Sequence, residues 1–147
     1  MSERVPLPLP VGWYCVGEDA ELVAGELRRV RYFGRELVLW RGEDGAPHLF
    51  DAYCPHLGAH LGVGGKIEGS ALRCPFHAWK FEGSGRCIEI PYAKRIPPKA
   101  AVASWPIQQR NGLIFAWYDP RSAPPRFELP ELDGFLQRCR NDRVRRA

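Results

Sequence analysis

Residues 53–79 read YCPHLGAHLGVGGKIEGSALRCPFHAW, with Cys-Pro-His at 54–56 and Cys-Pro-Phe-His at 74–77. One residue separates Cys54 from His56, seventeen separate His56 from Cys74, and two separate Cys74 from His77. Each short spacing lets two side chains of one loop turn toward the same point, and a pair of such loops can bring four donors together. A single Cys is commonly a core residue, but four donors in this pattern point to a metal. Two thiolates and two imidazoles suit either tetrahedral zinc or an iron-sulfur centre. Structural zinc sites pair Cys with Cys and His with His, roughly two to four residues apart. Here each loop carries one of each kind. A two-iron cluster with sulfur ligands on one iron and imidazoles on the other takes one ligand of each kind from each loop.

Five Cys is an odd number, and Cys15, Cys54, Cys74, Cys87 and Cys139 lack the dense regular spacing of a secreted disulfide framework. At 147 residues the chain fits one ordinary domain, able to bury roughly 70% of its unfolded surface. No apolar run approaches the roughly 20 residues of a membrane span. The start, MSERVPLPLPVGW, has no uninterrupted apolar stretch of the secretory kind. A cytoplasmic protein without membrane association is expected. Five Arg (Arg138, Arg140, Arg143, Arg145, Arg146) crowd the last ten positions; such a run is usually a solvated end, and no nucleic-acid partner is expected.

Between the loops the chain reads as all-β. Short segments rich in Val, Ile, Phe, Tyr and Trp alternate with turn signals, and no helical stripe competes. Residues 36–41 and 47–52 flank Gly42-Glu43-Asp44-Gly45 as a hairpin. Residues 100–109 and 113–118 flank Asn111-Gly112, which supplies two positive φ angles for a type I′ turn. Lys80-Phe81 joins 86–90 through Glu82-Gly83-Ser84-Gly85. Pro106 within its segment predicts an edge or a bulge, since proline cannot donate to a ladder. The Pro-rich stretch 5–10 and the segment 119–130 read as extended arms, and 131–140 as one short helix.

Cys-Pro-His-Leu-Gly at 54–58 with Cys-Pro-Phe-His at 74–77 resembles the Rieske signature. The stretch from about Gly12 to Pro120 is similar to the N-terminal domain of Rieske non-haem iron oxygenases, of the ketosteroid 9-alpha-hydroxylase and cholesterol desaturase type. DAYCPHLGAHLGVGGKIEG, CPFHAWKFEGSGRCIEIPYAKRIPP and RNGLIFAWY carry the likeness. The resemblance implies stacked antiparallel sheets with a [2Fe-2S] cluster held at the tip of two loops. It implies an arm over 1–11, a Rieske domain over 12–120 and an extension over 121–147. Cys54 and Cys74 would hold the inner iron, and His56 and His77 the outer iron through Nδ1. Leu57 and Pro75 would cover the site. Respiratory relatives have a bracing Cys where this chain has Ala59 and Phe76, and with fewer stabilising groups the expected potential lies toward the low end of the roughly −150 to +300 mV Rieske range. The family usually has Gly after the second His; this chain has Ala78, at a cost of roughly 1–2 kcal/mol if φ there is positive.

The partners implied are redox proteins, a reductase and a terminal oxygenase or other acceptor. No His follows His77, so the two-His, one-carboxylate iron site of the oxygenases is not expected within this chain. The expected role is that of a one-electron carrier, with a cluster-bearing domain or subunit of an oxygenase as the alternative. His60 and His48 are expected to be ordinary, the first a loop residue and the second facing solvent. Cys15, Cys87 and Cys139 read as small buried hydrophobes or inert thiols. Trp79 either shields the site or fills volume, and Tyr92, Lys94 and Arg95 read as a solvated loop.

Overall fold

The run Leu37-Val38-Leu39-Trp40 has no polar residue to alternate with, which in a strand means burial on both faces. A computed structural model describing residues 8–134 shows how. Strand β3 (Arg35–Arg41) lies in the middle layer of three antiparallel sheets, between β2 (Leu27–Tyr32) and β4 (Pro47–Asp51). Leu37 and Leu39 join Leu49, Val16, Ile114 and Ala116 in one core. Val38 and Trp40 join Phe50, Leu61, Leu72 and Phe81 in another, which continues to Cys54, Cys74 and Trp79. Trp40, Phe50 and Phe81 are fully buried, each contributing on the order of 2–3 kcal/mol of apolar transfer.

Arg41 ends this strand and is itself buried. Its guanidinium donates to Leu22 O (2.6 Å), Gly45 O (2.6 Å) and the Asp19 carboxylate, so the charge is desolvated with its donors satisfied.

The first sheet has the order β1 (Gly12–Glu18), β11 (Leu113–Tyr118), β10 (Ile107–Arg110). The Asn111-Gly112 turn between β10 and β11 has φ of 55° and 76°, as its sequence requires. Upstream, the single strand expected over 100–109 is split. Pro106 divides β9 (Ser104–Trp105), at the edge of the middle sheet beside β4, from β10, at the edge of the first. Both halves are edge strands, where a residue without an N–H is tolerated.

The third sheet joins β5 (Lys66–Glu68), β6 (Ala71–Arg73), β7 (Lys80–Glu82) and β8 (Cys87–Glu89) in sequence order. The hairpins expected at 36–52 and 80–90 are present, the latter with Gly85 at φ 89°. Residues 119–130 form the expected arm. Its carbonyls accept from Trp117 Nε1 at Ala123 (3.0 Å), from Trp13 Nε1 at Phe127 (2.8 Å) and from Arg110 Nε at Leu129 (3.2 Å). Residues 131–134 are not helical. The rest of the expected helix, Cys139, the basic tail and the first part of the N-terminal arm lie outside the described residues. No helix among the described residues is long and apolar enough to cross a membrane.

Candidate metal centre

The two Cys-His loops are built alike. Loop 1 is bracketed by the bridge pair Tyr53 and His60, loop 2 by the ladder pair Arg73 and Lys80 of β6 and β7. In each, the Cys N–H donates across the loop to the carbonyl five residues on: Cys54 to Ala59 O (2.9 Å) and Cys74 to Trp79 O (2.8 Å). In each, the fourth residue after the Cys is left-handed, Gly58 at φ 75° and Ala78 at φ 60°. Closing the corner requires that conformation, which glycine adopts freely and alanine at a cost of roughly 1–2 kcal/mol.

This closure turns both thiols inward. Cys54 and Cys74 are each 3% exposed and sit at the end of the core that Trp40 and Phe50 fill. Burial pushes the Cys54 thiol up to about 11. A hydrogen bond from the His56 backbone opposes the shift, and a hydrogen bond shared with Cys74 and the proximity of Cys74 and Cys87 add to it. The two sulfurs are therefore neighbours, and the Cys54 thiol, held neutral by burial, would lose its proton on taking up a metal.

The imidazoles form a second pair. His56 and His77 are half-buried, with ring centroids 4.7 Å apart and planes at 72°. Trp79 lies flat on His56 at 4.5 Å and 11°, and its Nε1 donates to Tyr92 Oη at 2.7 Å. Phe76 touches His77 at 4.0 Å. Leu57 (66%) and Phe76 (64%) are exposed, as is Pro75. Leu57 and Pro75, the residues expected to cover the site, thus stand into solvent and with Phe76 form an apolar rim. Among the described residues, no three His, Cys, Asp or Glu side chains lie close enough to hold a single ion. The donors come as sulfur beside sulfur and imidazole beside imidazole, the set that a [2Fe-2S] centre with Cys₂ and His₂ irons takes.

Residues 12–106 match the Rieske [2Fe-2S] domain. The chain belongs to this family. Membership implies a Rieske-type cluster, which the donor set fits. The chain is 39% identical over 145 residues to cholesterol 7-desaturase nvd of Bombyx mori, a match covering 97% of this chain and 32% of that one. It is 40% identical over 126 residues to a 3-ketosteroid-9-alpha-monooxygenase oxygenase component of Rhodococcus rhodochrous, covering 84% of this chain and 33% of that one. The crystal structure of apo dicamba monooxygenase superposes with a TM-score of 0.74 at 29% identity, covering 85% of this chain and 38% of that one. The chain spans about a third of the length of the curated relatives it matches, and three antiparallel sheets agree with the Rieske fold.

The remaining candidates are placed as follows. His60 stands apart from the four donors: its Nδ1 accepts from Gly62 N (3.0 Å), and its ring meets Tyr53 edge-on. His48 faces solvent only in part. It is half-buried, 4.4 Å from the Trp40 ring, and occupies the space that any side chain at Gly83 would need. Cys87 is buried and burial raises its pKa, whereas Cys15 is exposed; the four described Cys are free thiols. Lys94 and Arg95 are exposed, as expected. Tyr92 is exposed too, but its hydroxyl is engaged by Trp79, a long-range contact with no local sequence signal.

Proposed function

We propose that this chain is the electron-transfer domain of a Rieske non-haem iron oxygenase. Cys54 and Cys74 would hold one iron of the cluster, and His56 and His77 the other. The segregation of the donors into a buried sulfur pair and a half-buried imidazole pair carries this reading. When bound, the cluster supplies a one-electron couple. The chain's own residues set how it is presented. The Cys54 and Cys74 loops fasten the sulfur side to the core, while His56 and His77 lie toward the surface, inside the rim of Leu57, Phe76 and Tyr92. An apolar rim around half-buried imidazoles suits brief contact with a redox partner, of the order of 1,200 Å² or less.

The oxygenase-domain reading is favoured over a free-standing carrier by the desaturase and the monooxygenase oxygenase component reported above, of each of which this chain covers about a third. Their names point to a sterol or ketosteroid as the substrate class, oxidised at an iron site on residues other than those described. A reductase would supply electrons. Absorption and EPR spectra of the anaerobically purified protein, oxidised and reduced, test the cluster: a Rieske signal is expected, and stoichiometric zinc without acid-labile sulfide would end the proposal. Size-exclusion chromatography from the native host distinguishes the two roles. The oxygenase reading expects the cluster to elute with a second, mononuclear iron site, and the carrier reading expects it alone.

A further inference from the structure

Of the two imidazoles, only His56 has a flat aromatic surface against it. The Trp79 indole covers it at 4.5 Å and 11°, and the indole is 8% exposed. His77 meets His56 and Tyr92 edge-on, at 4.7 Å and 6.5 Å, and the tilted Phe76 ring at 4.0 Å. An imidazole ring rotates about one broad terminal torsion. A parallel neighbour at stacking distance restricts that rotation, whereas edge contacts and an exposed phenyl leave more of it open.

The indole is in turn tied at its other end. Its single donor, Nε1–H, reaches Tyr92 Oη at 2.7 Å, in a segment that follows Ile90, a residue of the same core as Trp79. Trp79 itself is fixed in the backbone by the Cys74 N–H bond to its carbonyl. A residue of loop 2 thereby braces the histidine of loop 1, and the brace is locked from a third segment.

We propose that Trp79 is the positioning residue for His56, and that Tyr92 sets where the indole lies. The two imidazole donors are then unequal: His56 is held by a rigid stack and His77 by softer contacts. This rests on the proposed ligand role of His56 and adds to it the group that aims the ring.

The test uses the reduced, cluster-loaded protein and pulsed EPR, which resolves the ¹⁴N couplings of the two histidine nitrogens separately. Trp79→Leu, which removes the flat surface, is expected to shift and broaden one of the two couplings and leave the other in place, with iron and sulfide content unchanged. Tyr92→Phe keeps the stack and removes the tie. It is expected to broaden the same coupling to a smaller extent, and Trp79→Phe, which also lacks the donor, to match it. Should Trp79→Leu fail to hold a cluster, Tyr92→Phe and Trp79→Phe decide the matter. Native couplings in both of these, or equal broadening of both nitrogens in any variant, would overturn the inference. A wild-type protein without a Rieske signal would instead remove the ligand assignment beneath it, so the two failures are told apart.

Discussion

Loop 1 and loop 2 share one backbone plan and fill it differently. Both close from the Cys amide to the fifth carbonyl onward, and both turn at a left-handed fourth residue. Loop 1 places its imidazole two residues after the Cys and uses Gly58 at the corner. Loop 2 places it three residues after and uses Ala78. Their bases differ as well. Tyr53 and His60 meet edge-on at 5.2 Å under loop 1. Under loop 2, Arg73 and Lys80 share Glu68 at 2.7 and 3.0 Å, and Lys80 also reaches Glu89 at 2.7 Å. The backbone closure is what presentation of a buried thiol demands, and the side chains around it are free to vary.

The largest expected effect tests the equivalence of the loops. Cys54→Ser and Cys74→Ser should each abolish the cluster, read as iron and acid-labile sulfide per chain, and His77→Cys should perturb or abolish the Rieske EPR signal. His60→Ala, at the base of loop 1, should leave that signal intact. A cluster surviving either serine variant would break the comparison at its root.

The corner residues should respond with opposite signs. No heavy atom lies within 4 Å of a Cβ placed on Gly58, so Gly58→Ala meets only the backbone penalty. Offset by the lower unfolded-state entropy of alanine, it should cost about 1 kcal/mol. Ala78→Gly should gain up to about 1 kcal/mol by the same balance. Urea denaturation of the as-isolated protein followed by Trp fluorescence measures both.

A smaller effect comes from the sheet that carries loop 2. His48 packs against the turn that joins β7 to β8, and burial holds its pKa below 6.5, only partly opposed by Asp44. The unfolded chain therefore binds the His48 proton more readily than the folded one. The stabilisation is complete above about pH 6.5, the unfolded value, and is lost as pH falls through the lower folded one. The urea midpoint should drop between pH 7 and pH 5, and His48→Gln should flatten that slope.

The smallest expected change concerns the charged base. Hydrogen bonds from Arg73 and then Lys80 hold the Glu68 carboxyl below its usual range, but these groups are exposed and screened. Glu68→Gln should speed hydrogen exchange at the Cys74 amide and leave the Cys54 amide unchanged. Equal changes at both amides would mean that the loops open together.

The strands that carry strong local signals were readable from residues alone. Asn111-Gly112 dictates its turn, and the apolar runs of β3 and β4 flank an evident loop. Strands β5 and β6 are three residues each, too short for a period, and β2, with Arg28, Arg29 and Arg31, carries charges that mask its pairing with β3. The division at Pro106 was half legible: proline announced an edge, but nothing local says that the chain changes sheets there. At the centre, the four candidate ligands and their spacing stand in the sequence. The stack of Trp79 on His56 and its tie to Tyr92 do not, because they join three segments through tertiary packing. The partial burial of His48 is not legible for a similar reason, since it depends on Trp40 and on a glycine far along the chain.

The buried guanidinium of Arg41 has a consequence for how the middle layer finds its alignment. A strand that is apolar on both sides gives no penalty for sliding by one position, because every face it could present is greasy. Leu37 to Trp40 would tolerate such a slip by hydrophobicity alone, with the bulky indole pointed into the wrong compartment. Arg41 forbids it: shifted by one step, the cation would forfeit Leu22 O, Gly45 O and Asp19 together and be stranded without water. One charged residue at the strand's end thus acts as the index mark that keeps Trp40 on the side where the sulfur loops are anchored.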